Sequence, residues 1–135
     1  MRAFVVPSGD DALDGLLTAA AQAAGHEVLP PPGFMGSGHS DARRGFFTTV
    51  VDRLHEADLL VAHANPATPS GAANAAWSAA WFLVKGRLVV AAVDEDALAT
   101  ASAMLVGNPS PWQRLVGYRG DADALTSAMT AALRF

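Results

Sequence analysis

Two titratable side chains, His63 and Asp94, stand at the ends of apolar runs that are typical of buried strands. His63 follows Leu59 to Ala62, and Asp94 follows Arg87 to Val93. A histidine can donate or accept a proton near pH 7, and a carboxylate can act as a base on water, so this pair could support general acid–base chemistry. His63 and Asp94 are therefore the candidate catalytic residues, with a half-buried structural role as the alternative for the histidine.

The turn Ser8-Gly9 and the helix start Ser70-Gly71 could bind a ligand through backbone N–H groups. Unpaired N–H groups at a helix start favour an anion or a hydroxyl-bearing ligand, although a glycine there also serves as a plain cap or a close-packing position. Asp10 and Asp11 follow the first turn and would repel a phosphate. A neutral sugar suits this corner better.

The proline- and glycine-rich segment from Pro30 to Ser40 predicts a long surface loop, a type that often covers a site. His39 lies in this loop and could face a ligand. Arg43 and Arg44 open the next predicted helix, where a positive charge opposes the helix dipole. One of them could reach back to a ligand phosphate or carboxylate, or pair with Asp41 in solvent. His39 and Arg43 are therefore further candidates for ligand binding.

Short apolar runs alternate with segments of helical periodicity along the whole chain. On the second helix, the pattern predicts that Phe46, Phe47, Val50, Val51 and Leu54 face inward. The predicted strands are Arg2–Pro7, His26–Leu29, Leu59–Ala62, Arg87–Val93 and Leu115–Tyr118, and the predicted helices are Asp11–Ala24, Asp41–Glu56, Ala72–Val84, Asp94–Leu105 and Asp121–Leu133.

This alternation predicts a single α/β domain over residues 1–135. Right-handed crossovers place helices on both faces of a parallel sheet, so we expect a flavodoxin- or Rossmann-like three-layer sandwich with five parallel strands in the order 2-1-3-4-5. Ligands of such sheets bind outside the carboxyl ends of the strands, where the strand order reverses. The expected pocket is lined by Ser8, Gly9, His63, Ser70, Gly71 and Asn74.

The composition argues against several classes of function. The net charge is −4 and the nine lysine and arginine residues form no basic stripe, so no nucleic-acid or membrane partner is expected. There is no cysteine, and the four histidines lack metal-ligand spacing, so no metal or other cofactor is expected. No apolar run reaches the roughly 18 residues of a membrane span, and a cytoplasmic location is predicted.

The apolar content predicts self-association. Apolar residues make up 51% of the chain and charged residues only 16%. Trp77 and Trp81 lie one turn apart on the alanine-rich third helix, a stripe that favours core packing or a subunit interface over base stacking. A homo-oligomer, at least a dimer, is therefore expected.

The central part of the chain, residues 57–93, resembles the signature of the nucleoside 2-deoxyribosyltransferase family. In that family a strand of the type aDlvVA leads through a D-S/D-G-T-x-x-E-x-G-x-A motif into a helix, followed by a gKP-like segment and another strand. Here Ala57-Asp58 opens the strand, Ser70-Gly71 matches the turn, and Lys85-Gly86-Arg87 precedes the next strand. Both flanks resemble the family in outline, and Asn108 corresponds to a polar residue that the family often lends to its site.

The resemblance implies a glutamate nucleophile on the third helix, which forms a covalent glycosyl-enzyme. In this chain that position is Ala75, next to Asn74, and Pro69 replaces the acid that usually precedes the Ser-Gly turn. Alanine can neither attack nor ionise. The family's standard covalent mechanism therefore cannot be carried over to this sequence.

Three functions stay open, of which the first is favoured. The protein binds a nucleoside or nucleotide without chemistry, as a sensor or as the inactive partner of a catalytic paralogue. Alternatively, it is a hydrolase or transferase that acts on an N-glycosidic bond, or it catalyses an unrelated reaction in the same crevice. The second function would take its carboxylate from Asp10, Asp11, Asp41 or Asp94, and the third would use His39, His63 or Asn74.

Overall fold

A computed structural model of the protein describes residues 1–32 and 40–135. His39 lies outside the described residues. The elements along the chain are β1 Arg2–Val5, α1 Asp11–Ala23, β2 Glu27–Val28, α2 Ser40–Glu56, β3 Leu59–His63, α3 Pro69–Val84, β4 Leu88–Asp94, a 3₁₀ helix Glu95–Thr100, α4 Ala103–Val106, β5 Gln113–Tyr118 and α5 Ala122–Ala132.

The strands form one parallel sheet in the order β2-β1-β3-β4-β5, which confirms the predicted topology. Both faces of the sheet are covered by helices. On one face Leu17 of α1 and Met129 of α5 pack in one core cluster, and on the other Leu54 of α2 and Phe82 of α3 pack in a second cluster that also includes α4. The central strands carry apolar side chains on both faces of the sheet, and each face must be covered. A layer of helices on each face gives the three-layer α/β sandwich.

The predicted helix from Asp94 to Leu105 is wrong. The chain instead forms a 3₁₀ helix that departs from helical geometry at Ala97 (φ −122°, ψ 31°), and then the short helix α4. The side-chain amide of Asn65 donates to the Ala97 carbonyl at 2.9 Å, so this carbonyl is bound from a distant strand end. The spacing of apolar residues within this segment does not depend on a hydrogen bond from a residue about 30 positions earlier. The pattern therefore predicted one continuous helix.

The predicted inward position of Phe47 is also wrong, since 53% of this side chain is exposed. Phe46, Val50 and Leu54 follow one another at four-residue spacing and pack in the core layer. One residue further along a helix is rotated by about 100°, so Phe47 turns away from the sheet.

The turn after β1 is joined directly to the start of α3. Thr68 is the N-cap of α3: its hydroxyl accepts a hydrogen bond from the Gly71 N–H at 3.1 Å and donates one to the Ser8 carbonyl. A Cβ atom at Gly71 would lie 2.7 Å from the Thr68 hydroxyl and closer still to the Ser8 carbonyl oxygen. Gly71 is therefore needed for the close approach of two backbones. We call this set of contacts the β1–α3 junction.

We expect Gly71→Ala to lower the free energy of unfolding by about 1–3 kcal/mol, because the new methyl group overlaps backbone atoms. Gly15 on α1 is the matched control, since a Cβ there meets nothing within 4 Å. Gly15→Ala should raise stability by about 0.5–1 kcal/mol through its effect on helix propensity. Urea unfolding measures both variants, and equal effects of the two substitutions would contradict the role assigned to Gly71.

Candidate functional site

A cavity of about 310 Å³ opens at the carboxyl ends of β3, β4 and β5, between α1 and α5. We call it the polar cavity. It brings together the two predicted catalytic residues, His63 and Asp94, as expected for the ends of neighbouring parallel strands. The polar side chains that line it are Asp10, His63, Asn65, Asp94, Tyr118 and Asp121.

His63 is 4% exposed and both of its ring nitrogens are engaged. The backbone N–H of Asn65 donates to Nδ1 at 3.2 Å, and Nε2 lies 2.7 Å from the Tyr118 hydroxyl oxygen. Since Nδ1 accepts a hydrogen bond, the neutral imidazole carries its proton on Nε2 and donates it to Tyr118. The phenolic hydrogen of Tyr118 is then left to be donated to another group at the cavity.

The side chain of Asn65 links the end of β3 to the end of β4 through hydrogen bonds. Its Oδ1 accepts from the Asp94 N–H at 2.9 Å, and its Nδ2 donates to the carbonyls of Asp94 and Ala97, each at 2.9 Å. The same residue therefore fixes the His63 tautomer through its backbone and the Asp94 backbone through its side chain. Sequence reasoning missed both Asn65 and Tyr118, although each is a polar residue at or just beyond the end of a strand.

The surroundings of the cavity shift two pKa values. Burial lowers the pKa of His63, and the nearby Asp94 carboxylate opposes this effect only in part. Burial raises the pKa of the Tyr118 hydroxyl, and Asp94 raises it further because a phenolate would be repelled by the carboxylate. At neutral pH the site therefore presents a neutral imidazole and a protonated phenol.

Three aspartates give the polar cavity a negative character. Asp10, Asp94 and Asp121 each cap the helix that follows them, and in each case the capping oxygen is Oδ1. The second carboxylate oxygen of each is the atom that can accept from a ligand. No lysine or arginine is among the described residues that line this cavity. Neutral or cationic ligands are therefore favoured over phosphates.

Four of the predicted ligand-binding residues lie at or beside the β1–α3 junction. Ser8 and Gly71 are buried there, Gly9 and Ser70 are exposed beside them, and none of the four lines the polar cavity. The Ser8 N–H donates to the Asp14 carboxylate at 3.0 Å, and the Ser8 hydroxyl bonds to the Asp10 backbone at 3.1 Å. The residues of the single expected pocket are thus placed apart, since His63 lines the polar cavity and these four residues do not. Their ligand-binding roles stay predictions.

Asn74 lies on the other face of the sheet, at a second cavity of about 320 Å³ between α2 and α3. We call it the aromatic cavity. The Asn74 side chain donates from Nδ2 to the Pro7 carbonyl at 3.2 Å. The cavity is lined by Val6, Pro7, Phe46, Phe47, Val50, Ala73, Asn74, Trp77 and Ser78.

Arg43 and Asn108, also predicted to bind a ligand, do not line the polar cavity. Arg43 is exposed on α2. Asn108 accepts from the Ser110 N–H at 2.9 Å in the loop that enters β5 at its amino end, so it lies at the opposite edge of the sheet from His63. Neither residue lies near His63, and their ligand-binding roles stay predictions.

Ala75, the position of the family's nucleophile in the proposed register, is only 1% exposed. It packs in the core with Ala79 and Phe82 of the same helix and lines neither cavity. A carboxylate at this position would be buried among apolar side chains.

Within residues 1–32 and 40–135, no group of three or more histidine, aspartate or glutamate side chains is placed to hold a metal ion. The absence of a metal or other cofactor stays a prediction. None of the described helices has both the length and the apolar character needed to cross a bilayer. No model of a known protein family matches the chain, and no curated protein sequence matches it.

We expect the stability of the wild type to fall as the pH drops below about 6.5, the ordinary pKa of histidine. The unfolded chain takes up a proton at His63 in this range, whereas the folded chain, with its lowered pKa, does not. The contribution is at most about 1.4 kcal/mol per pH unit. His63→Gln should flatten this dependence and the exposed control His55→Gln should keep it, as measured by urea unfolding between pH 7.5 and 5. Identical slopes for wild type and His63→Gln would contradict the assignment.

We expect Ala75→Glu to destabilise the fold by about 2 kcal/mol or more, because the new carboxylate is buried without a partner. Ala80, exposed on the same helix, is the control, and Ala80→Glu should change stability by about 0.5 kcal/mol or less. Thermal melts compare the two variants. An Ala75→Glu protein that is as stable as Ala80→Glu and releases base from a nucleoside would show that position 75 faces a ligand after all.

Proposed function

We propose that the protein binds a nucleoside in the polar cavity and does not carry out covalent glycosyl transfer. The observation that carries this proposal is the hydrogen-bonded pair His63–Tyr118, which offers a phenolic O–H beside the Asp94 carboxylate. A donor next to an acceptor suits a sugar hydroxyl, which both donates and accepts.

The charge of the cavity favours the nucleoside over its phosphate esters. Asp10, Asp94 and Asp121 can accept hydrogen bonds from sugar hydroxyls through the oxygens that do not cap helices. The same carboxylates repel a phosphate dianion, and Arg119, the cation that follows Tyr118, is already paired with Glu95 at 2.9 Å and Asp96 at 3.6 Å. The volume of about 310 Å³ lies at the lower end of the range for small-molecule sites.

The resemblance of residues 57–93 to nucleoside 2-deoxyribosyltransferases supports a nucleoside as the ligand. The buried alanine at position 75 supports binding without the family's nucleophile. On this view the protein is a cytoplasmic sensor, or the inactive partner of a catalytic paralogue. Self-association through exposed aromatic residues such as Phe47 and Trp77 belongs to the same proposal.

A second candidate function is hydrolysis of an N-glycosidic bond. It is favoured by one observation, that the Asp94 carboxylate shares the polar cavity with His63 and Tyr118. Asp94 would act as a base on water and Tyr118 would donate a proton to the departing base.

Calorimetric titration with adenosine and with adenosine 5′-monophosphate tests the proposed ligand. We expect the nucleoside to bind about 5-fold or more tightly than the monophosphate, because of repulsion by the aspartates. Tyr118→Phe removes one hydroxyl and should weaken nucleoside binding by about 2- to 10-fold. His63→Gln should weaken it similarly, whereas His55→Gln should leave it unchanged. Tighter binding of the monophosphate, or no binding of nucleosides at millimolar concentration, would contradict the proposal.

Chromatography of the same mixtures separates the two candidate functions. The binding proposal requires that the wild type releases no base above the uncatalysed rate. Base release that is lost in Asp94→Asn, and that persists in His55→Gln, would instead establish the hydrolase.

A further inference from the structure

The last strand, β5, forms a long free edge of the sheet. It pairs with β4 on one side, and no described strand lies on its other side. The opposite edge of the sheet is β2, which comprises only Glu27–Val28, whereas β5 runs over Gln113–Tyr118. A long exposed edge is a template for pairing with another strand.

Alternate residues of β5 direct their backbone groups away from the sheet. The Trp112 carbonyl accepts a hydrogen bond from the Val89 N–H of β4 at 2.8 Å. Because successive residues of a strand direct their backbone groups to opposite sides, Leu115 and Gly117 turn their N–H and carbonyl groups outward. Within the described part of the chain, no hydrogen-bond partner meets these outward groups. The partner that fits such a row of donors and acceptors is another extended strand.

The side chains of β5 are poorly covered by the helix layers. No residue of β5 is buried, whereas the middle of β4, from Val89 to Val93, is buried throughout. Leu115 is 37% exposed and lies on the face of the short helix α4, since Gln113, two residues earlier, donates from its side chain to the Leu105 carbonyl. Further large apolar side chains are exposed in the segment before Leu115, namely Leu98, Met104 and Trp112. The edge therefore combines free backbone groups with uncovered apolar surface.

A second β5 strand fits this edge when it runs antiparallel, with Leu115 of one copy opposite Leu115 of the other. Each Leu115 N–H would then donate to the Leu115 carbonyl of the other copy, and each Gly117 N–H would donate to the Gln113 carbonyl. The Gln113 N–H is already used within the chain, since it donates to the Ser110 carbonyl at 3.2 Å. The two leucine side chains would lie side by side on one face of the sheet and cover each other.

Charge and side-chain size favour this register over the adjacent registers that also keep the outward groups opposed. A shift in one direction places Arg114 opposite Arg114 of the other copy, and like charges directly opposite are destabilising. A shift in the other direction places Leu115 opposite Gly117, which has no side chain to cover the leucine. In the favoured register Arg114 lies opposite Val116. Since Arg114 is the one charged residue of β5, no like charges then meet along the paired strands.

We propose that a second copy of the chain occupies the free edge of β5, so that an antiparallel β5–β5 pair joins the two sheets about a two-fold axis at Leu115. A two-fold interface uses the same surface on both copies, and the self-complementary register of β5 meets this requirement. The interface differs from the exposed aromatic residues Phe47 and Trp77 and does not depend on the proposed nucleoside site.

Light scattering over a series of micromolar concentrations tests the interface. We expect the wild type to give twice the 13.9 kDa mass of one chain. Leu115→Lys places like charges beside the two-fold axis and should raise the dissociation constant of the dimer by about 10-fold or more. Val84→Lys is the matched control and should keep the wild-type mass, since Val84 is 87% exposed at the end of α3. A monomeric wild type, or a Leu115→Lys dimer as tight as the wild type, would overturn the proposal.

Cross-linking tests the register independently of the mass. The chain has no cysteine, so a thiol reagent can join two copies of Leu115→Cys only through position 115. A short bis-maleimide should cross-link Leu115→Cys and leave the control Val84→Cys uncoupled. Trp77→Lys separates this interface from the aromatic one and should keep the dimer. Equal cross-linking of the two cysteine variants, or loss of the dimer in Trp77→Lys but not in Leu115→Lys, would overturn the proposal.

Discussion

The β1–α3 junction is the contact on which the arrangement of both cavities depends. The Thr68 hydroxyl caps α3 and binds the Ser8 carbonyl, and Gly71 lets the two backbones approach closely. Parallel sheets of this order usually leave an open crevice at this point, where the strand order reverses. Here the turn after β1 and the start of α3 are in close contact at this point. The polar cavity and the aromatic cavity lie on opposite faces of the sheet.

A second constraint comes from the need to satisfy buried backbone groups at the strand ends. Asn65 meets this need for both the N–H and the carbonyl of Asp94. Because Asn65 is held in place, its own N–H is directed at His63 Nδ1, and this contact decides which imidazole nitrogen carries the proton. The hydrogen bonds between Asn65 and Asp94 thus position the Asn65 N–H, which binds His63, and His63 in turn binds the Tyr118 hydroxyl.

The sequence was sufficient to predict the sheet order, the helix layers and the meeting of His63 with Asp94. Alternating apolar runs and short connections determine these features, and neighbouring parallel strands end at a common edge. It was not sufficient to predict the break after Asp94, the contact of α3 with the turn after β1, or the hydrogen bond between His63 and Tyr118. Each of these depends on a hydrogen bond between residues far apart in sequence, such as Asn65 with Ala97 or Thr68 with Ser8.

The buried position of Ala75 gives a packing reason for an alanine where the resemblance implies a glutamate. Ala75, Ala79 and Phe82 form the stripe of α3 that packs in the core, and small side chains allow a helix to approach closely. A helix held that close has no room for a glutamate at position 75, and its start at the same time reaches the turn after β1 at Gly71. The alanine and the junction are therefore two consequences of one tight packing arrangement. The tight packing of α3 leaves no polar side chain at position 75, whereas His63, Asp94 and Tyr118 meet at the ends of β3, β4 and β5.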